Sequence, residues 1–454
     1  MMQQILRIRQ KFAKDKHLNE IAKQSAYSFG MRVFGLLVNY LFLFFVTKYY
    51  GPKGWGIFAI CFALLSVASM VGTFGLNTGF VKIVPQGFTN IRQLYYQTLK
   101  FIIPLNIVIT AIVFFGADII GNFLDADGVA IGDYIRIASL GILPFSISMV
   151  NSALFRGNKQ IVLFSFYDSL GRFLWGGIIV FILHFFTTNT YVVISGYVLG
   201  LYVLAFFSFR GLNKILKPLQ SRDTAEKKLE HGFKELLSLS NSLFWTTFVM
   251  QGSQWATTLI LGVYLSKEEV GVFDATNRLA GLITIILYAT NSITAPKFAE
   301  AAYDKKLLQR NVDASSKLIF WTSVPLFLVM LVGGPFILQL LDYGKTDVHV
   351  NEYLIFVIIL IGQLINNLSG SVGMLMQMTG LHKLSQRLSF ASFVFTTVML
   401  FFFTPVYGLI GASIITGLNV ALKNIISVIM IYSKTRVMTM YVPLKKRISI
   451  KQQL

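Results

Sequence analysis

The sequence predicts an all-α integral membrane protein: twelve transmembrane helices in two six-helix bundles, arranged as parallel repeats around a central cavity. Three observations carry that prediction. Long apolar runs alternate with short basic loops, Lys and Arg crowd one side of those runs, and the second half repeats the punctuation of the first. Of the 454 residues, 55% are hydrophobic and 13% charged, about half the ~25% charged share of a soluble domain. Mean hydropathy is +0.65. The 40 Lys and Arg against 20 acids give a net charge of +20. That charge sits in loops between apolar runs and not on a compact polar domain, so no nucleic-acid partner is expected.

A hydrocarbon core ~30 Å thick takes about 20 residues of helix. Runs of that kind fall at 25–48, 56–81, 98–120, 134–155, 161–184, 190–209, 236–264, 271–295, 314–341, 351–377, 385–404 and 407–432. Pro104, Pro144, Pro325 and Pro335 lie inside spans, where neighbouring helices must satisfy the carbonyls that proline frees. The expected organisation is a basic cytoplasmic segment (1–24), a first bundle (25–209), a cytoplasmic linker (210–235), a second bundle (236–432) and a basic tail (433–454). The first segment lacks an apolar core and cleavage site, so no removable signal is expected. Ile5, Ile8 and Phe12 share a helical face there, which suits a surface-lying helix or a disordered tail.

Cations orient the chain. Most of those in loops lie on the side of the N-terminus, whereas the opposite side keeps only Lys48, Lys53, Lys267 and Lys345. Both termini are therefore expected in the cytoplasm. Arg32, Arg136, Arg172, Arg278 and Lys423 fall within spans or at their edges.

The halves correspond at three places. YYGPKGWGIFA between spans 1 and 2 aligns with YLSKEEVGVFD between spans 7 and 8, setting Gly56 on Gly271 and Phe58 on Phe273. IVPQGF and TAPKFA then place Pro85 and Pro296 at equivalent exits, and LFRGNKQ after span 4 matches QMTGLHK after span 10. With six spans per half, both copies enter the membrane from the same side, so the repeats are parallel.

Polar residues recur at helical spacing inside the spans. Span 1 carries Ser28, Arg32, Gly35 and Asn39; span 7 carries Thr247, Gln251, Gln254 and Thr258. Span 2 has Ser66, Ser69, Thr73 and Asn77, span 8 has Asp274, Asn277, Arg278, Gly281, Thr284, Tyr288 and Asn291, and span 10 has Gln363, Asn366 and Asn367. Spans 1, 2, 7 and 8 would line a polar space between the halves. Each stripe has a plainer reading as interhelical hydrogen bonding, and Arg32 a plainer one as a snorkelling side chain. Asp168 with Arg172, and Asp274 with Arg278, stand four residues apart and can pair within their own helices. If Arg32 and Arg278 do face a lumen, its preferred guest is an anion with a polar body, because guanidinium forks fit phosphate oxygens.

No catalytic constellation stands out. The five histidines are scattered, the single Cys61 excludes an intramolecular disulfide, and no phosphate-binding G-x-x-x-x-G-K motif occurs. No metal or cofactor is expected, and no enzymatic role. Energy for transport would come from a substrate gradient, the membrane potential or a coupled ion, for which Asp274 or Asp168 could titrate, each with a plainer reading as a structural salt bridge.

The basic start into an arginine-bearing span 1, the stretch TKYYGPKGWGIFAICFALLSVASMVGTFGLNTGFVK, the FRGNKQ turn and PVYGLIGASIITGLNVA at span 12 together resemble the polysaccharide repeat-unit flippases. These belong to the multidrug, oligosaccharidyl-lipid and polysaccharide exporter superfamily. The resemblance implies two six-helix bundles around a V-shaped cavity in the bacterial cytoplasmic (inner) membrane. It also implies alternating access that carries an undecaprenyl-pyrophosphate-linked oligosaccharide to the outer leaflet for O-antigen or capsule synthesis, with a polysaccharide polymerase and other assembly proteins as candidate partners. Cavity cations would hold the pyrophosphate, and the matching positions are Arg32 and Arg278. With them, Asn39, Asn77, Gln251, Gln254 and Asn291 complete the candidate substrate-binding set. The alternative within the superfamily is an ion-coupled multidrug exporter, whose guests are often cationic and fit two arginines poorly.

Overall fold

The computed structural model describes residues 16–86, 91–124, 126–219, 232–339, 341 and 352–441. The face formed by Ile5, Ile8 and Phe12, residues 220–231 of the expected linker, and the tail beyond 441 lie outside them. Among the described residues there is no strand. Packing divides the chain into two units, 1–271 and 272–454.

The first unit opens with α1 (Lys16–Thr73), 58 residues long. At ~1.5 Å per residue it would extend about 87 Å, nearly three hydrocarbon cores. It turns instead at Gly51 (φ 73°, ψ 174°) with Pro52 behind it. The positive φ suits glycine, and proline has no N–H to continue the ladder. The break separates spans 1 and 2, as expected. Span 2 itself departs from the sequence reading, which runs it unbroken to 81. Its helix stops at Thr73, Phe74 and Gly75 both take positive φ, and α2 (Leu76–Ile83) restarts. A Cβ on Gly75 would come within 2.5 Å of the Ser240 carbonyl oxygen, so the break lets a later helix approach backbone to backbone.

There follow α3 (Ile91–Phe115), α4 (Ala117–Phe123), α5 (Gly132–Ser139) and α6 (Ile142–Gly157), the last two bent by 42°. The bend has an identifiable cause. Pro144 cannot donate to the Leu140 carbonyl, and the Tyr202 hydroxyl donates to that oxygen instead, at 2.9 Å. Span 5 is α7 (Ile161–Ser165), a π-helical turn (Phe166–Leu170) and α8 (Gly171–His184). Then come α9 (Tyr191–Leu219), α10 (Phe233–Tyr264) and the start of α11 (Lys267–Gly281).

One core of this unit is aromatic: Phe42, Phe58 and Tyr197 interlock, and Phe62 meets Trp255 of α10 edge-on at 5.1 Å. Thus α10, the first span of the second sequence repeat, packs in the first unit. The other core gathers Phe80, Leu94, Tyr95, Leu154 and Phe155 around a buried chain in which Tyr95 donates to Asn151 and Asn151 to Ser208.

The second unit contains a 3-10 turn (Leu282–Thr284), α12 (Ile285–Glu300), α13 (Lys305–Gln339), α14 (Glu352–Leu368), α15 (Val372–Met378) and α16 (His382–Thr435). Here α16 is broken at Gly408 (φ 55°) beyond Pro405, where spans 11 and 12 are expected to meet. Pro335 repeats the solution seen at Pro144: the carbonyl it frees, on Leu331, accepts from the Tyr353 hydroxyl at 2.9 Å, so a neighbouring helix satisfies it. Phe298, Leu308, Val312, Leu375 and Ile431 form the core.

Eight described helical stretches are long and apolar enough to cross a membrane, nine if the bent α5–α6 pair is one span. Two of them, Gly30–Thr73 and His382–Thr435, exceed two crossings in length and are the ones divided at Gly51 and Gly408. Large apolar side chains such as Phe115, Ile119, Phe186 and Val332 are more than three-quarters exposed, as lipid contact requires. The chain is a multi-pass membrane protein.

Candidate functional site

Five cations in or beside the spans fall into two groups. Arg136 pairs with Asp118 and Asp133, Arg172 with Asp168 at 2.6 Å, and Arg278 with Asp274 at 2.7 Å. The last two pairs are those the four-residue spacing predicts. Arg32 and Lys423 have no acid partner among the described residues. Lys423 is half-buried in α16, whereas Arg32 is exposed.

The position of Arg32 is set by close contact between α1 and span 5. One turn beyond it, a Cβ on Gly35 would lie 3.0 Å from the Leu170 nitrogen and 3.1 Å from the Ser169 carbonyl carbon. The helices therefore touch backbone to backbone at the π turn, a helix defect that frequently marks functional sites. At this level the Arg32 guanidinium stands over the Phe164 ring, 5.8 Å from its centroid. The same ring carries a second guanidinium, that of Arg156, at 5.3 Å. Just beyond the π turn, Arg172 lies 5.1 Å from the Phe145 centroid while paired with Asp168.

The remaining candidates in the first unit are amides. Asn39, one turn beyond Gly35, is half-buried, and its Oδ1 has no hydrogen-bond partner among the described residues. Asn77 is half-buried on α2, beyond the break at Gly75. Gln251 and Gln254 are exposed on α10; one turn earlier, the Thr247 hydroxyl meets that of Thr78 at 3.5 Å. In the second unit Asp274 is buried against Arg278, and Asn291 has an Oδ1 without a partner among the described residues.

Part of the polar striping is structural. Ser66, Ser69, Thr73 and Thr258 are buried; the Ser69 hydroxyl donates to the Ile142 carbonyl and that of Thr73 to Met70. Asn367 is also buried, donating to the Ile283 carbonyl and the Ser323 hydroxyl. These are interhelical and backbone bonds that membrane proteins build from small polar residues, and they correct the expectation that whole stripes face a lumen.

At the other end of the first unit, Lys267 is fully buried. Its Nζ donates to Asp127 at 2.6 Å and to the Leu124 carbonyl at 2.8 Å, while its backbone N–H donates to the second Asp127 oxygen. Burial raises the Asp127 pKa, but the hydrogen bonds and charge of Lys267 outweigh it and hold the carboxyl below its usual range.

Arg156 and Phe164 are the residues that sequence reasoning missed. FRGNKQ is legible as a basic turn, but nothing in it signals that its arginine shares an aromatic ring with Arg32, 124 positions earlier in the chain.

Residues 45–345, two-thirds of the chain, match the model of a family described as polysaccharide biosynthesis protein. The chain belongs to that family. Curated proteins similar to it include a probable low-salt glycan biosynthesis flippase of Haloferax volcanii, 22% identical over 90% of this chain and 82% of that protein. A Shigella flexneri protein named as a candidate O-antigen transporter is 22% identical over 84% of this chain and 90% of its own length. Among solved structures, the lipid II flippase MurJ in an inward closed conformation superposes with a TM-score of 0.69 at 14% identity, covering 90% of this chain and 87% of that one. The MATE multidrug transporter DinF-BH, solved as a complex, does so with a TM-score of 0.61 at 16% identity, covering 91% and 95%. The chain thus shares its fold with these two transporters.

Proposed function

We propose that the protein is a flippase that carries an undecaprenyl-pyrophosphate-linked oligosaccharide from the cytoplasmic to the outer leaflet by alternating access, with both termini in the cytoplasm of a bacterial cell. The observation that carries this reading is Arg32: an exposed guanidinium in a membrane-spanning helix, without an acid among the described residues to offset it. Such a charge costs ~2.5–3.5 kcal/mol at the centre of a bilayer and less towards its surface, a cost that an anionic head group would offset through charge-assisted hydrogen bonds.

A glycan leaving water must keep its hydroxyls paired, since each unpaired one costs several kcal/mol, about 4–8 on a water-to-alkane scale. Amide side chains both donate and accept. Gln251 and Gln254 are exposed, and the carbonyl oxygens of Asn39 and Asn291 are unbonded among the described residues, so they suit transient hydrogen bonds to a polyhydroxyl guest. The prenyl chain stays in lipid and needs no protein groups. The relatives named for glycan flipping and O-antigen transport support this substrate class, and the transport is non-enzymatic.

The multidrug alternative would ask Asp274 to attract an organic cation. Its charge is already offset by Arg278 at 2.7 Å, which disfavours that role. The test is translocation of a fluorescent undecaprenyl-pyrophosphate oligosaccharide in proteoliposomes, scored by access of an enzyme on the far side. Protein-dependent access supports the reading. Absence of access alongside ion-coupled uptake of an organic cation would replace it.

A further inference from the structure

We infer that Arg156 is a second arm of the head-group site, so that Arg32 and Arg156, both held at Phe164, grip a diphosphate-bearing lipid. The inference rests on the flippase reading for its choice of ligand and on geometry for its residues. Two guanidiniums lie 5.8 and 5.3 Å from one ring centroid. Their separation is at most the sum of those distances, about one screening length in ~0.1 M salt, so their mutual repulsion is small. The ring face attracts each exposed cation modestly, but it supplies no countercharge, and neither arginine has an acid partner among the described residues. The C-terminal end of α6 favours a cation at Arg156, but it does nothing for Arg32. A diphosphate head group that reaches both accepts hydrogen bonds from both forks.

The backbones are fixed before any ligand arrives. Gly35 locks α1 against the π turn. Gly157, next to Arg156, lies so close to α2 that a Cβ there would meet Val84 at 2.8 Å and the Phe80 carbonyl oxygen at 3.2 Å. Charge then selects the ligand. A phosphodiester lipid brings one negative charge, whereas a diphosphate diester brings two, one for each guanidinium. Bilayer phospholipids are accordingly the weaker guests.

The test uses the full chain in phosphatidylcholine nanodiscs, titrated with undecaprenyl pyrophosphate and, separately, with phosphatidylglycerol. Arg156→Ala and Arg32→Ala should each raise the Kd for the diphosphate lipid about tenfold or more, the loss of one charge-assisted contact, and change phosphatidylglycerol binding less than threefold. Arg156→Lys should fall between wild type and alanine. If alanine prevents insertion, Arg156→Gln replaces it in the same titration. Unchanged diphosphate affinity in an inserted Arg156 variant overturns the inference, as does an equal loss for both lipids, which would make the pair a general membrane-surface contact. The two readings fail separately. Wild-type protein that binds diphosphate lipid through Arg156 but moves no glycan contradicts the flippase reading alone; one that moves glycan with Arg156 irrelevant to binding contradicts this site alone.

Discussion

Gly56 and Gly271, paired by the sequence repeat, stand directly against one another. A Cβ on either would lie 2.9 Å from the backbone nitrogen of the other. The contact is reciprocal, and it explains why both positions lack a side chain. A Cβ on Gly56 would also fall 1.7 Å from the Lys267 carbonyl oxygen, and one on Gly271 2.0 Å from that of Pro52. These neighbours are backbone and cannot swing aside. Gly56→Ala and Gly271→Ala should therefore each destabilise the protein by about 1–3 kcal/mol or more, seen as a lower Tm in detergent. An unchanged Tm would show that the helices separate here at no cost.

The Lys267–Asp127 pair should report on the same region. Removing either partner from a buried pair costs ~3–5 kcal/mol, with the lower end apt because Asp127 keeps 21% of its side-chain surface. The carboxyl lies below its usual value, so its contribution is present above the unfolded pKa, ~3.9, and is lost as pH falls through the lower folded value. Thermal stability should hold steady from about pH 8 to 5 and drop below about 4. Asp127→Asn should start lower and lose that part of the acid dependence; an identical acid limb in the variant would assign it to other groups.

Arg32 and Arg278 should behave differently although both are arginines in spans. Arg278→Ala removes the cation paired with the buried Asp274 carboxylate and should lower the Tm, and the added change Asp274→Asn should restore much of it. Arg32→Ala leaves no acid behind and should keep the wild-type Tm while losing translocation. Equal stability losses would mean that Arg32 is also structural.

Gly35 is a positioning residue for Arg32. Gly35→Leu would drive a side chain into the backbone of the π turn, part α1 from span 5 and shift the guanidinium off Phe164. Translocation should fall about tenfold or more, with Arg32 itself unchanged. Full activity would separate the helix contact from the site.

Much of this was legible in the chain. The turn at Gly51, the break near 404–407 and the two helical acid–arginine pairs follow from Gly and Pro chemistry and from four-residue spacing, which are local. Pro144 and Pro335 announced freed carbonyls, but not that Tyr202 and Tyr353 would cap them, because a distant hydroxyl leaves no mark in the local pattern. The polar stripes divide into buried and exposed members for a similar reason. Ser69 and Gln254 look alike to periodicity, and only packing distinguishes a hydroxyl spent on Ile142 from an exposed amide. Arg156 was invisible as a site residue because its relation to Arg32 passes through Phe164, on a third element.

The measurement to make first is proteoliposome translocation of an undecaprenyl-pyrophosphate oligosaccharide by wild type and by Arg32→Ala, with insertion and Tm checked for both. Wild-type transfer that falls about tenfold or more in the variant, at equal stability, is the outcome expected of an anion-receiving flippase. Equal transfer by both proteins would remove Arg32, and with it the central electrostatic claim.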